Sequence, residues 1–375
     1  MSPLRVGVIF GGPSPEHDVS ILTGLQVLRK LPQVPGVASV SALYWTKHGQ
    51  WFLVPPNLEA RDFLQGNPPK AQPLSLQVGA DAGFALRKSG RFGGKEGPLG
   101  VEIALNCCHG GPGEDGTLQG VLDLVGLPYT GPTAAGALLG MDKLAFRALA
   151  GSAWLQMLPL MPLFRTSSPP NFDGPYILKP RFGGSSIGVE VVPDFDSAVA
   201  RLSANPHVRR GAVLEPYQDG FFDLQVAVRT WPELQVSAVE RPIRTTAQAE
   251  ILDYSDKYVG GEGMTTAPRE LPARIRPELE QSIKAVAGEV ARLLDVRGVA
   301  RIDFLSDGET AYVNEINTIP GSLARYLWID PPLSFETLLS DMLTEATQRP
   351  SVVFSVAGSD GSVLKGAGAI GRKLG

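Results

Sequence analysis

Apolar and polar positions fall into blocks whose period changes along the chain. Residues 5–10 form a short apolar run bounded by Gly11-Gly12, which predicts a strand buried on both faces. Helical spacing follows from Val19 to about Leu31, and residues 37–45 read as a second strand. Residues 101–108 are a further apolar strand. It runs into the glycine-rich stretch 109–116, and a helix is predicted over 117–125. Strands alternating with helices predict an α/β domain with a mainly parallel sheet. Residues 46–100 are irregular and rich in Gly and Pro, with short strands expected only near 51–54 and 84–87.

Further on, residues 131–149 are small and helical. A strand at 175–179 leads through the glycine-rich loop 180–188 into a returning strand at 189–192. A helix at 197–203 and a strand at 212–215 follow. From 222 the strands read as antiparallel, at 223–230 and 234–241. An amphipathic helix over 276–294, with apolar Leu279, Ile283, Val286 and Val290, delivers the chain to a hairpin at 301–321, and a last helix spans 335–346. The tail from Ser351 has the Gly, Ser and Ala content of a disordered segment and predicts no element. The expected division is 1–131, 132–219 and 220–349, with 350–375 as tail.

Composition narrows this little. With 375 residues the chain exceeds one ordinary core. Its net charge of −4 carries no large basic excess that would point to nucleic acid. There is no signal-peptide pattern and no apolar run of about 18 residues, so no membrane insertion is expected. The two cysteines, Cys107 and Cys108, are adjacent; they suit reduced, buried thiols and hence a cytoplasmic location.

Two stretches carry candidate chemistry. In the hairpin at 301–321, Ile302, Phe304 and Ile316 can share one face. In an even register, Arg301, Asp303, Glu315 and Asn317 share the other. Two carboxylates and a carboxamide meeting across neighbouring strands suit Mg²⁺ shared with substrate phosphates, although a half-solvated hairpin shows the same alternation. Lys179 ends a strand just before the glycine loop 180–188, whose N–H groups can cradle an anion; a flexible surface hairpin is the alternative. The turn after residue 10 is neither the dinucleotide fingerprint nor a Walker A loop.

An ordered set of motifs goes further: Gly11-Gly-Pro-Ser-Pro-Glu-His-Asp; His109-Gly-Gly-Pro-Gly-Glu-Asp-Gly; Met141-Asp-Lys; Leu178-Lys-Pro with Gly184-Ser-Ser-Ile-Gly; Asp253-Tyr-x-x-Lys-Tyr; Arg301-Ile-Asp; and Asn314-Glu-Ile-Asn-Thr-Ile-Pro-Gly. With these the chain resembles the D-alanine–D-alanine ligases of the ATP-grasp superfamily. The resemblance implies an ATP-grasp fold of mixed α/β and α+β class: an N-terminal Rossmann-like parallel-sheet domain, a small central α+β lid and a C-terminal antiparallel-sheet domain. It implies joining of two D-alanines through an acyl phosphate, for peptidoglycan precursors, with ATP and two Mg²⁺ (or Mn²⁺) ions, in a homodimer.

By the same resemblance, Lys143, Lys179, Ser186 and Lys257 would contact ATP phosphates. Glu215, Tyr217 and Asp223 would contact adenosine, and Asp303, Glu315 and Asn317 would hold metal. Arg301 and the Gly321 N–H would face the oxyanion. Glu16 would pair with the first ammonium, tied to Ser185 and Tyr258, and His109 would lie near the second substrate. After Gly321 the sequence departs from the family pattern: Tyr326 stands where a Ser is usual, and Arg325 is a candidate carboxylate partner. A ligase with a D-serine or D-lactate acceptor, or a nucleotide-binding regulator without catalysis, are the other readings.

Overall fold

The computed structural model describes residues 3–79, 82–87, 96–243, 268–352 and 354–367. Strand β1 (Leu4–Gly11) is followed by helix α1 (His17–Lys30) and strand β2 (Val37–Trp45), which pairs with β1 in parallel. Asp18 in the first turn of α1 and Arg29 and Lys30 in the last complement its macrodipole. Within 46–100 the short strands expected near 51–54 and 84–87 are present, and among the described residues they belong to the sheet rather than to an irregular insertion. Strands β3 (Trp51–Val54), β4 (Gln72–Gln77), β5 (Gly83–Leu86) and β6 (Gly97–Pro98) build an antiparallel meander on the outer edge of β2. Strand β7 (Ile103–Asn106) pairs in parallel on the other side of β1. The seven-stranded sheet, ordered β6-β5-β4-β3-β2-β1-β7, is therefore mixed rather than mainly parallel. The two meander strands that the sequence does not announce, β4 and β6, carry Pro and lack the apolar runs by which buried strands are read.

β7 leads into a single helical turn, α2 (Gly111–Glu114), and then α3 (Thr117–Val125). Leu118 and Leu122 of α3 pack with Ile9, Leu43, Ala104 and Tyr129 on one face of the sheet. On the other face, Val6, Val8 and Phe10 meet Ile21, Leu25 and Leu28 of α1. The predicted helix at 131–149 is two helices, α4 (Ala134–Met141) and α5 (Lys143–Ser152). They break at Asp142, which is extended and whose carboxylate accepts from the N–H groups of Leu144 and Ala145.

A second, antiparallel sheet has the order β10-β9-β11-β8, from β8 (Met161–Leu163), β9 (Tyr176–Pro180), β10 (Glu190–Val192) and β11 (Ala212–Pro216). Ala198 of α6 (Phe195–Ala204) packs in its core with Leu178 and Leu214. In the third part β12 (Phe222–Arg229) is intact. The strand predicted at 234–241 splits into β13 (Gln235–Val236) and β14 (Arg241–Pro242), and β14 pairs with β15 (Arg269–Glu270). Helix α7 (Pro277–Leu293) precedes the hairpin of β16 (Val299–Ser306) and β17 (Ala311–Asn317), and the sheet order is β13-β12-β16-β17.

Helix α8 (Phe335–Gln348) turns back to the first core, where Leu338, Leu339, Met342 and Leu343 join the α1 side of the N-terminal sheet. The tail carries a six-residue helix, α9 (Ser362–Ala367), with no buried residue. Among the described residues no helix is long and apolar enough to cross a membrane, and both cysteines are buried free thiols.

The α1–β1 contact leaves no room at Gly24, where an added Cβ would lie 2.5 Å from the Cβ of Phe10. Gly24→Val should destabilise the protein by about 1–3 kcal/mol through overpacking, read as a lower urea midpoint. An unchanged midpoint would show that α1 can shift away from the sheet at no cost.

Candidate active site

The hairpin fixes the geometry of the site. β16 and β17 pair with Arg301 opposite Asn317, Ile302 opposite Ile316 and Asp303 opposite Glu315, the even register that puts the polar residues together. Next to this the register shifts, and Phe304 pairs with Val313. Asn314 is thereby the extra residue of a β-bulge. The bulge explains why Val313 and Ile316, three apart, both lie in the same core, packed with Ile302, Phe304 and Ile283 and Val290 of α7. Across β12 the polar row continues: Gln225 pairs with Asp303 and bridges to Glu240. Glu240, Gln225, Asp303 and Glu315 thus stand side by side over four consecutive strand segments.

Arg301 is buried and grips Asp303 bidentately, Nε to Oδ1 and Nη2 to Oδ2 at 2.7 Å each. Residues two apart on a strand share a face, which lets this i, i+2 pair form. Asn317 Nδ2 donates to Asp303 Oδ2 at 3.1 Å. Glu315 takes Lys143, at 3.2 Å, and Lys143 also donates to the Gly183 carbonyl at 2.7 Å. Lys179 donates to Glu215 Oε2 at 2.6 Å and to Asn314 Oδ1 at 3.0 Å. The bulge is thus what brings the second sheet's lysine onto the third sheet's hairpin.

Of these groups, Lys143, Lys179, Gln225, Asp303, Asn314 and Glu315 line one cleft of about 1000 Å³, its open mouth included. Lys143, Lys179, Asp303 and Glu315 occupy its polar end, with Gly183, Gly184 and Ser186 as its roof. Pro216, Tyr217, Gln218, Phe221 and Asp223 line the remainder with Ile177 and Leu305. Polar groups at one end and apolar and aromatic walls at the other suit a ligand with a polyanionic tail and a flat apolar head. Hard oxygen donors from Asp303, Glu315 and Asn317 fit a cation such as Mg²⁺, which takes one or two carboxylates and completes its shell from phosphates and water. In keeping with that, no cage of three His, Cys, Asp or Glu residues occurs among the described residues.

A second opening of about 790 Å³ shares Pro180, Gly183, Gly184 and Ile187 with the first and is walled by Ser14, Glu16 and the glycine loop at 110–112. Glu16 is buried there between two glycines. A Cβ on Gly184 would come within 3.0 Å of its Oε1, and one on Gly110 (φ +62°) within 3.2 Å of its Oε2. The two glycines thus let both loops approach this carboxylate closely, Gly110 in a left-handed conformation that glycine favours. Beside it, Ser185 and Ser186 adopt left-handed backbone conformations. Glu114, unnoticed in the sequence, is buried as well. It accepts from the N–H groups of Gly110 and Ile319 at 2.8 Å each and from the Thr318 hydroxyl at 3.2 Å, joining the glycine loop to the hairpin's exit. Burial, and then the nearby Glu16 carboxylate, push its pKa up to about 7.

His109 is tied on both sides: its Nδ1 lies 2.6 Å from the Ile319 carbonyl and its Nε2 2.7 Å from the Thr23 hydroxyl. The carbonyl can only accept, so Nδ1 carries the proton and Nε2 accepts from Thr23. The Thr23 oxygen in turn accepts from the Ser322 N–H at 3.0 Å. His109 thus serves here as an anchor between the first sheet and the buried segment from Gly321, whose residues Ser322, Leu323 and Ala324 are all left-handed. The Arg325 guanidinium reaches Gln26 and lies over the Phe335 ring. The Tyr326 ring carries Arg269, 4.8 Å from its centroid. Lys257 and Tyr258, and the loop 253–263 that contains them, lie outside the described residues.

Comparison with known proteins converges on one group. The family model described as "D-ala D-ala ligase N-terminus" matches residues 5–132, and that described as "D-ala D-ala ligase C-terminus" matches residues 165–344. The chain is 29% identical over 374 residues to the D-alanine–D-alanine ligase of Mycobacterium ulcerans, covering 92% of this chain and 96% of that one. Among solved structures, the D-alanine–D-alanine ligase from Helicobacter pylori superposes with a TM-score of 0.71 at 24% identity, over 93% of this chain and 100% of the other. The VanG D-Ala:D-Ser ligase from Enterococcus faecalis gives 0.71 at 24%, over 92% and 100%. At such identities the structures speak for the fold.

Burial is the main cause that lowers the His109 pKa, to about 4 from 6.5. The unfolded chain then binds the extra proton between these values, so the stability contributed by His109 is present above about pH 6.5 and is lost as pH falls toward 4. An NMR titration of its ring should show neutral imidazole, protonated on Nδ1, at pH 5.5. A midpoint near 6.5 would contradict the buried anchor.

Proposed function

Because the chain belongs to the D-alanine–D-alanine ligase family, we propose that it ligates two D-alanines at the expense of ATP, forming an acyl phosphate on the way to D-alanyl-D-alanine for peptidoglycan synthesis. The observation that carries this reading is the convergence of Lys143, Lys179, Asp303, Asn314 and Glu315 from three separate sheet and helix units on one cleft, with Arg301 bound to Asp303 behind them. In this reading adenosine lies along Tyr217, Glu215 and Asp223, and the phosphates lie under the 183–186 loop. Lys143 and Lys179, with Lys257, neutralise the phosphate charge. Asp303, Glu315 and Asn317 would hold two Mg²⁺ or Mn²⁺ ions. When bound, these supply charge stabilisation for the transferring phosphoryl group.

Glu16 faces the smaller opening and takes the first D-alanine's ammonium; two neighbouring buried carboxylates, Glu16 and Glu114, favour a cation there. That substrate's carboxylate oxygen attacks the γ-phosphorus and ADP leaves. The second D-alanine, its amine deprotonated, attacks the acyl carbon, and phosphate leaves from the tetrahedral intermediate. Arg301, already oriented by Asp303, and the Gly321 N–H stabilise the oxyanion. His109 keeps the Gly321 segment in place, while Ser185 and Tyr258 tie the roof to Glu16 and exclude water, which would hydrolyse the acyl phosphate. The segments 1–131, 132–219 and 220–349 would act as substrate, lid and catalytic units of a cytoplasmic homodimer. A D-serine or D-lactate acceptor is the second reading, favoured by Tyr326 and its stacked Arg269 after Gly321.

Phosphate release with ATP, Mg²⁺ and D-alanine tests the proposal, with D-serine and D-lactate supplied as alternative acceptors. D-alanine alone should suffice for turnover; release only on adding another acceptor would move the assignment to that acceptor, and none with any D-amino acid would refute the enzyme. Arg301→Ala should lower kcat by about 100-fold or more, as loss of an oxyanion donor does. A loss within about threefold, under ~1 kcal/mol of barrier, would show that Arg301 lies off the reaction.

A further inference from the structure

The roof of the site is strapped to the N-terminal glycine loop by a contact that none of the roles above uses. Arg210 ends the short 3₁₀ helix Pro206–Arg210, which runs beneath the glycine-rich loop of the second sheet. That helix is bound to the loop at both ends. Arg181 N–H donates to the Gly211 carbonyl at 3.0 Å, and His207 packs so closely on Gly188 (φ +76°) that a Cβ there would lie 2.5 Å away. From this seat Arg210 reaches across the smaller opening to Asp115, Nη1 to Oδ2 at 3.3 Å.

Asp115 is well prepared for the contact. Its side chain is only 9% exposed, and Oδ1 is already held by the N–H and hydroxyl of Thr117, which leaves Oδ2 toward Arg210. The Arg210 guanidinium also lies over the Phe182 ring, 4.4 Å from its centroid, with Arg181 over the same ring at 5.0 Å. Arg181 cannot take over the strap, because both its Nε and Nη2 are bound to Asp142. One guanidinium thus touches the first residues of the roof loop through Phe182 and the N-terminal glycine loop through Asp115, on either side of Glu16.

We propose that Arg210 is a positioning residue for ligation: it holds the 182–188 roof down against the 110–116 loop while the acyl phosphate exists, without touching substrate. The inference rests on the ligase reading for its chemistry, but the strap itself can be tested without turnover. The Arg210 side chain is 61% exposed, so the pair is weak and screened by salt, as suits a contact that must open for each substrate.

The test uses Arg210→Met, which keeps the stem and loses the charge, Asp115→Asn, which keeps an acceptor for Thr117, and the conservative Arg210→Lys. Amide hydrogen exchange over 183–188 should quicken by about threefold or more in the Met and Asn variants, the range expected for an exposed ion pair plus a cation–π contact, and stay near wild type in the Lys variant. In turnover, the Met and Asn variants should release more phosphate per dipeptide formed and show a raised KM for D-alanine, with nucleotide affinity within twofold of wild type. High salt should mimic them in wild type and change little in Arg210→Met. Unchanged exchange and an unchanged phosphate-to-dipeptide ratio in both charge-removing variants would overturn the proposal, as would Arg210→Lys behaving like Arg210→Met. A wild type that releases no phosphate would sink the ligase reading instead, and the exchange measurement would still judge the strap.

Discussion

The pairing of β16 with β17 is the constraint on which the rest depends. Side chains alternate on a strand, so a slip of one residue would turn Asp303 and Glu315 into the core and Ile302 and Ile316 toward the cleft. Helix α7 forbids this, because Ile283, Ala287 and Val290 bury Ile302, Phe304, Val313 and Ile316 on the opposite face. The energy that holds the carboxylates in place is therefore hydrophobic and lies on the far side of the sheet. The bulge at Asn314 is the one irregularity, and it adds an acceptor to the polar face without disturbing the apolar one.

Around that face, charges and hydrogen bonds add to apolar packing that already joins the parts, such as Leu338, Leu339 and Met342 of α8 in the N-terminal core and Phe146 of α5 in the hairpin's own core. Lys179 comes from the second sheet, Lys143 from the start of α5, and Glu114 and His109 from the loop after β7. Lys179 and Glu215 are both almost fully buried, so neither can lose its partner without leaving a desolvated charge. These polar joints add direction to that packing. Mutual neutralisation also keeps a site dense in carboxylates and lysines stable before any anion or cation enters it.

Much of this was legible in the sequence, for physical reasons that differ by element. The runs at 5–10, 37–45 and 117–125 announced themselves by period, and the structure places β1, β2 and α3 there. The polar face of the hairpin was read on the condition of an even register, and β16 and β17 pair in that register from Arg301 to Asp303. The bulge was missed, although its signal was present: Val313 and Ile316 are three apart, a spacing that an unbroken strand cannot bury on one side. In the meander at 46–100, β3 and β5 were expected, whereas β4 and β6 escaped because they are short and carry Pro. The partners of single charged residues were the least legible. Lys179 met Glu215 and Asn314, Lys143 met Glu315, and Glu114 became a buried staple. Period constrains which face a side chain is on, not which of several opposite charges it meets.

The central claim is that the polar face of this hairpin holds a metal ion together with nucleotide. Electron paramagnetic resonance of Mn²⁺ with the protein and ATP measures that most directly. Wild type should bind Mn²⁺ tightly only when nucleotide is present, and Asp303→Asn with Glu315→Gln should weaken that binding by about tenfold or more, the loss expected when metal-site groups are removed. Unaltered Mn²⁺ affinity in the double variant would contradict the assignment and place the metal elsewhere.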